Sequence, residues 1–323
     1  MTSHPTPKPD LRRIVVAIGG NSLITDPDHQ TVEDQYLAAA ETDHHIANLV
    51  ANGSEVVITH GNGPQIGFIL RRSELARHEL HEVPLDVCGA DTQGAIGYLL
   101  QQNLVGDFAR LGLAKQAVTV VTQVEVDADD PAFDAPRKPI GSFLSAEQAE
   151  QRRLEEGWAV VEDAGRGWRR VVASPLPRRI VEIDAIRFLV DAGFVVIACG
   201  GGGIPVVADE HGALRGVPAV IDKDRASALL ATEIGADLLL ISTSVDRVAL
   251  RFGEPDQRWV DHLTLEEATR YLAEGVHFRP GSMAPKIEAV VSFLEAGGNE
   301  AVITSPQLID RALAGDAGTR ITR

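Results

Sequence analysis

A short apolar strand that runs straight into glycines occurs three times in this chain, and that unit restricts what the chain can fold into. Ile14-Val-Val-Ala-Ile-Gly-Gly-Asn21, Val56-Val-Ile-Thr-His-Gly-Asn-Gly-Pro64 and Val195-Val-Ile-Ala-Cys-Gly-Gly-Gly-Gly-Ile-Pro205 each read as a buried strand ending in a turn that lets backbone approach a ligand. In an open parallel sheet, ligands gather beyond the carboxyl ends of the strands. Free backbone N–H groups and helix N-termini there favour anions. The pattern predicts an α/β chain with one shared cleft for a phosphorylated ligand.

The 323 residues, 44% of them hydrophobic, can bury a sizeable core as one large or two modest domains. A formal charge of −16 argues against a general nucleic-acid or anionic-membrane surface, so an anionic substrate needs a local cationic pocket. Cys88 and Cys199 do not suggest a disulfide framework and read as reduced, buried thiols. Residues 1–10 read as a loose polar leader without a signal-peptide core, and no apolar run approaches the ~20 residues that span a bilayer. The expectation is a soluble, cytoplasmic protein.

Arginine outnumbers lysine twenty-five to five, so the lysines ask for reasons. Lys138, Lys223 and Lys286 all stand in glycine- or proline-marked segments between elements. There a compact, rotatable charge suits a moving phosphoryl group better than a planar fork. Lys223 and Lys286 also fall at predicted helix starts, where the helix dipole disfavours a cation by roughly 0.3–1 kcal/mol unless an anion or carboxylate offsets it.

In chain order, the spacing of Tyr36, Leu37, Ile46, Leu49 and Val50 predicts a helix closed by Asn52-Gly53. Pro64 suits the first turn of a helix over residues 65–77. Residues 84–104 predict another, in which Asp86 and Thr92 suit either capping or substrate contact. Residues 118–126 alternate as one strand. The composition change over residues 127–172, with a charged helix near 145–156 and a hairpin from Trp158 to Trp168, predicts a protruding lid. Lys138 is then either carried into the cleft on closure or simply solvated. Residues 178–192 predict a helix, and Asp224 takes an N-cap position. Thr264 with Glu267 forms a capping box, and a helix carrying Ile287, Val290, Val291 and Leu294 stops at Gly297-Gly298.

These features favour phosphoryl transfer, which needs positioning and charge neutralisation more than a covalent nucleophile. No Gly-Lys-Ser or Gly-Lys-Thr makes a Walker loop, Gly200 to Gly203 lack dinucleotide spacing, and His78-Glu-Leu-His81 lacks zinc-protease spacing. His60 suits either substrate contact or a structural hydrogen bond.

The succession Ala17-Ile-Gly-Gly-Asn21, Thr59-His-Gly-Asn-Gly-Pro-Gln65, Pro84-Leu-Asp86, Thr92-Gln-Gly94, Lys138-Pro-Ile-Gly141, Glu162-Asp-Ala-Gly-Arg-Gly-Trp-Arg169, Cys199-Gly-Gly-Gly-Gly-Ile-Pro205, Ile221-Asp-Lys-Asp224 and Pro280-Gly-Ser-Met-Ala-Pro-Lys286 closely resembles the carbamate kinases, in register over nearly the whole chain. The resemblance implies the amino-acid-kinase fold, a three-layer αβα sandwich around a mostly parallel open sheet with a protruding lid subdomain, in a homodimer. It implies the reversible reaction ATP + carbamate ⇌ ADP + carbamoyl phosphate with Mg2+, running toward ATP in arginine metabolism.

By the same resemblance, residues 11–126 with 173–217 form the acceptor half, 127–172 the lid and 218–323 the nucleotide half. Lys138, Lys223, Asp224 and Lys286 are the implied catalytic set. Gly19, Gly20, Asn21, Gly61, Asn62, Gly63, Arg166, Gly201 and Gly202 would hold the phosphoryl group and carbamate. Thr243, Ser244, Val245, Asp246, Pro280, Gly281, Ser282 and Met283 would line the nucleotide, and no protein side chain is implied as a metal ligand. Related amino-acid kinases carry a lysine just before the first glycine pair, where this chain has Ala17, which weighs against acetylglutamate kinase. Ser244 stands where glycine or aspartate is frequent in the family. Two alternatives stay open: a silent nucleotide-binding protein of the same fold, and a kinase for another small carboxylate.

Overall fold

The computed structural model describes residues 12–19, 23–24, 28–163 and 167–323, so the leader, Gly20, Asn21 and Arg166 lie outside the described residues. Strand β1 (Arg13–Ile18) is followed by α1 (Val32–Ala51), β2 (Glu55–His60), α2 (Gly63–Ala76) and α3 (Leu85–Arg110). Thr31 and Asp34 cap α1 reciprocally, and Pro64 sits in the first turn of α2, where its missing N–H has no cost.

Residues 118–126 are two strands, β3 (Ala117–Thr119) and β4 (Gln123–Val126), and not one. The chain bends at Thr122. Its N–H donates to the Gln93 side chain at 2.7 Å, its carbonyl accepts from the same amide at 3.1 Å, and its Oγ accepts from the Cys199 N–H. With those backbone groups satisfied from outside, the two halves can join different sheets.

Next come β5 (Lys138–Leu144), α4 (Ala146–Glu156), β6 (Val160–Glu162) and β7 (Trp168–Val172), which build an antiparallel sheet in the order β5-β7-β6 with α4 against it. The stretch expected as one helix from Arg178 holds a strand, β8 (Pro177–Ile180), before α5 (Ile183–Asp191). Arg178 and Arg179 do not belong to the buried stripe of Ile186 and Val190, and Arg179 instead pairs with Glu125 of β4 at 2.7 Å.

The remaining elements are β9 (Val195–Ile197), the hairpin β10 (Ile204–Ala208) and β11 (Leu214–Gly216), α6 (Lys223–Glu233), β12 (Leu238–Ser242), and the hairpin β13 (Val248–Leu250) and β14 (Arg258–Val260). They end with β15 (His262–Thr264), α7 (Leu265–Glu274), α8 (Met283–Glu295), β16 (Glu300–Thr304), α9 (Ile309–Leu313) and β17 (Thr319–Thr322).

The main sheet runs β15-β17-β16-β12-β1-β2-β9-β3, parallel except that β15 and β17 oppose the rest. Its central strands are buried on both faces, which is why they read as unbroken apolar runs. Period-two alternation divides them between two cores. Val15, Ala17, Val57, Leu239 and Ile241 pack with residues of α5, α6 and α8. Ile14, Val16, Ile18, Val56 and Leu240 pack with residues of α1, α3 and α9. The result is a three-layer αβα sandwich. The neighbours β12, β1, β2 and β9 all point their carboxyl ends to one edge, as the glycine turns led one to expect. Among the described residues, no helix is long and apolar enough to cross a membrane.

Candidate active site

Three lysines from three separate elements converge at that edge. Lys223 opens α6, Lys286 lies in the first turns of α8, and Lys138 begins β5. Asp222, and not Asp224, is the N-cap of α6: its Oδ1 accepts from the N–H groups of Asp224 (3.0 Å) and Arg225 (3.4 Å). This leaves the Asp224 side chain free to take Lys223 on one oxygen and Lys286, at 2.8 Å, on the other. The remaining oxygen of Asp222 takes Lys138 at 2.8 Å. Arg225 of α6 and Glu288 of α8 pair at 2.7 Å, which ties together the two helices that carry these lysines.

Burial opposes the charge on Asp224, but Lys223 and Lys286 outweigh it and hold the carboxyl well below the usual carboxylate range. Asp222 is likewise lowered: burial and Asp224 oppose its charge, while Lys138 and Lys223 favour it. Burial lowers Lys223 too, helped by Lys286 and resisted by Asp224. Three cations thus face two carboxylates inside a chain of charge −16. The local excess of positive charge is what a transferring phosphoryl group needs. At ~4 Å a unit charge contributes on the order of 4 kcal/mol at an effective dielectric of ~20.

The glycine turns form the opposite wall. Gly61, Asn62, Gly63 and Gly201 line a cavity of about 230 Å³ together with Lys138, Lys223, Asp224 and Lys286. Asn62 is buried and donates to Thr92 Oγ1 at 2.8 Å, so Thr92 supports the turn from beneath. Gly201 has φ +67°, and a Cβ there would stand 2.0 Å from Asn62 Nδ2, so only glycine lets the two turns meet. Gly202 lies one layer back, against the Ile221 carbonyl, and Gly19 follows β1 without lining the cavity. His60 is fully buried behind Gly200, with Nδ1 at 3.1 Å from the Gly61 carbonyl oxygen, which favours the structural of its two readings. Burial, helped by Lys223, lowers its pKa to about 4. Asp86 sits in the first turn of α3 against Gly216, outside the cavity wall.

A second hollow of about 340 Å³ adjoins the first and shares Gly281, Ser282 and Lys286 with it. Thr243, Ser244, Val245 and Met283 line it, while Asp246 and Pro280 neighbour those residues in sequence but are not on its wall. Sequence reading missed its aromatic walls. Phe252 and Trp259 meet edge to face beside the β13–β14 hairpin, and Arg279 lies 5.0 Å from the Phe252 ring. The Gly253-Glu-Pro turn between two short β-prone runs was the available signal. Asp222 was also missed as a partner for Lys138. No cluster of three or more His, Cys, Asp or Glu suited to a metal occurs among the described residues.

The Amino acid kinase family profile matches residues 12–305. The chain belongs to the amino acid kinase family. Within that family it is 52% identical to the carbamate kinase-like protein YahI of Escherichia coli, over 96% of this chain and 98% of YahI. It is 48% identical to a carbamate kinase of Clostridium perfringens, over 96% of this chain and 100% of that one. A solved carbamate kinase from Giardia lamblia, bound to AMP-PNP, superposes with a TM-score of 0.90 at 38% identity, covering 97% of this chain and 99% of that one. The αβα sandwich described above is therefore the amino-acid-kinase fold.

Proposed function

We propose that the protein is a carbamate kinase that moves a phosphoryl group between ATP and carbamate. The observation that carries the reading is the convergence of Lys138, Lys223 and Lys286 on Asp222 and Asp224, at a glycine-walled cavity that meets a second hollow through Lys286. A β-phosphate oxygen of ADP bonds to phosphorus as the bond from phosphorus to the carbamate oxygen breaks, so ATP and carbamate result and no proton is transferred. Lys223 and Lys286 neutralise the equatorial oxygens, Asp224 positions both, and Lys138 leaves Asp222 for the incoming anion. Gly20, Asn21 and Arg166 keep their proposed contacts with substrate.

A Mg2+ ion is proposed to arrive with the nucleotide. When bound, it would supply positive charge beside the phosphates and add to that of the lysines. The halves 11–126 with 173–217 and 218–323, closed by the lid 127–172, bind acceptor and nucleotide respectively. We place the protein in the cytoplasm, making ATP from carbamoyl phosphate in arginine metabolism. It is further proposed to be a homodimer, pairing through the α3 face that exposes Tyr98 and Val105 beside Gly94 and Gly106.

The test is ATP formation from carbamoyl phosphate and ADP. The wild type turns over, and Lys286→Ala is slower by roughly 10²–10³. Nucleotide binding without turnover would support the silent protein instead. Turnover on acetylglutamate or aspartate alone would support another acceptor.

A further inference from the structure

A cleft of about 400 Å³ lies between α2 and the α4–β5–β7 unit, apart from both hollows described above. Four arginines meet there. Arg71 and Arg152 share Glu74 at 3.1 and 3.3 Å, and Arg152 and Arg77 share Glu156, the latter at 2.8 Å. Glu155 is exposed at the cleft and is hydrogen-bonded by Gln151. Arg170 differs from the other three. Its guanidinium lies 4.6 Å from the Trp158 ring, and it makes no ion pair or hydrogen bond among the described residues, although the residue is part-buried. Arg152 covers the same ring at 5.0 Å. Glu74, Glu156 and Glu82 act on Arg170 through space without a hydrogen bond, so its donors stay open to an anion that reaches the cleft.

The floor of the cleft bears on the active cavity. Ile140 of β5 lines both, and Lys138 lies two residues before it on the same strand. Next to it, a Cβ on Gly67 of α2 would stand 3.1 Å from the Gly141 Cα, so helix and strand touch with no slack.

We propose that this cleft binds a small anion bearing a carboxylate or phosphate group, held by Arg170 with Arg77 beside it, and that its occupancy sets the position of β5 and so of Lys138. The binding claim stands by itself; the consequence for Lys138 rests on the function proposed above.

Calorimetric titration with inorganic phosphate and, separately, citrate tests it on the full chain saturated with AMP-PNP. One or both anions bind, the affinity survives Lys286→Ala, and Arg170→Gln weakens it by about tenfold, the loss of one charge-assisted pair. Which anion binds more tightly names the source. The same anion changes the KM for carbamoyl phosphate in the wild type and does so in Arg170→Gln only at about tenfold higher concentration, while turnover without added anion is equal in the two. If Arg170→Gln does not fold, Arg170→Lys keeps the charge, loses the fork and still binds several-fold more weakly. Binding that vanishes with Lys286→Ala, that is unaltered in both Arg170 variants, or that is absent at millimolar anion overturns the site. Binding with an unmoved KM overturns the link to Lys138. An inactive wild type would sink the kinase reading and leave the binding result standing.

Discussion

Asp224 balances the lysine cluster, because each of its oxygens holds a different ammonium group. Asp224→Asn leaves Lys223 and Lys286 facing one another in a buried space. It is expected to lower stability by about 3–5 kcal/mol and to abolish most ATP formation, measured by denaturant unfolding and the coupled assay. His60 sets a separate acid limit. Its folded pKa of about 4 lies below the ordinary 6.5, so between those values the unfolded chain takes up a proton that the folded one refuses. Stability is therefore present above pH ~6.5 and is lost as pH falls toward ~4, by about 3 kcal/mol in all. Melting curves from pH 7 to 4.5 check this against His60→Asn, which should show a shallower slope; equal slopes would remove His60 as the source. Asp224 runs in the same direction in a lower window, since its carboxyl is also held below its ordinary value and keeps its contribution until pH falls beneath ~4. Gly201→Ala should push Asn62 out of its hydrogen bond to Thr92 and cut activity at least tenfold, on the order of one lost oriented donor.

Among the elements, those legible in the sequence owe their shape to local pattern. β1, β2 and β9 show as apolar runs because both faces are covered, and α7 shows through its Thr264–Glu267 box. The glycine turns and the three lysines could be read because a scarce residue type at an unfavourable helix end needs a partner. What stayed illegible depends on partners far away in the chain. The bend at Thr122 is made by Gln93, β8 exists because β4 has an open edge, and Lys138 meets Asp222 across 84 residues. The N-cap of α6 was misplaced because two aspartates flank Lys223 and either one fits the rule. At the junction of α2 with β5, Gly67→Ala is expected to favour the helix itself by up to about 1 kcal/mol yet displace β5. A several-fold rise in the KM for carbamoyl phosphate with unchanged helicity would be the sign of that shift; unchanged kinetics would mean the strand yields without moving Lys138.

At the level of the whole molecule, α3 presents an outward face of Gly94, Ala95, Tyr98, Val105 and Gly106, with Tyr98 60% and Val105 59% exposed. Small residues let a second helix come close, and Tyr98→Asp should convert the proposed dimer to a monomer in sedimentation analysis without changing its circular dichroism. A wild type that sediments as a monomer would remove the dimer. Among the described residues, the two hollows of the active region share Gly281, Ser282 and Lys286. In the proposed function each reactant takes one hollow, so each is expected to enter and leave without displacing the other. Steady-state kinetics should then be random in order, with isotope exchange between ADP and ATP persisting when carbamoyl phosphate and carbamate are raised together to saturation.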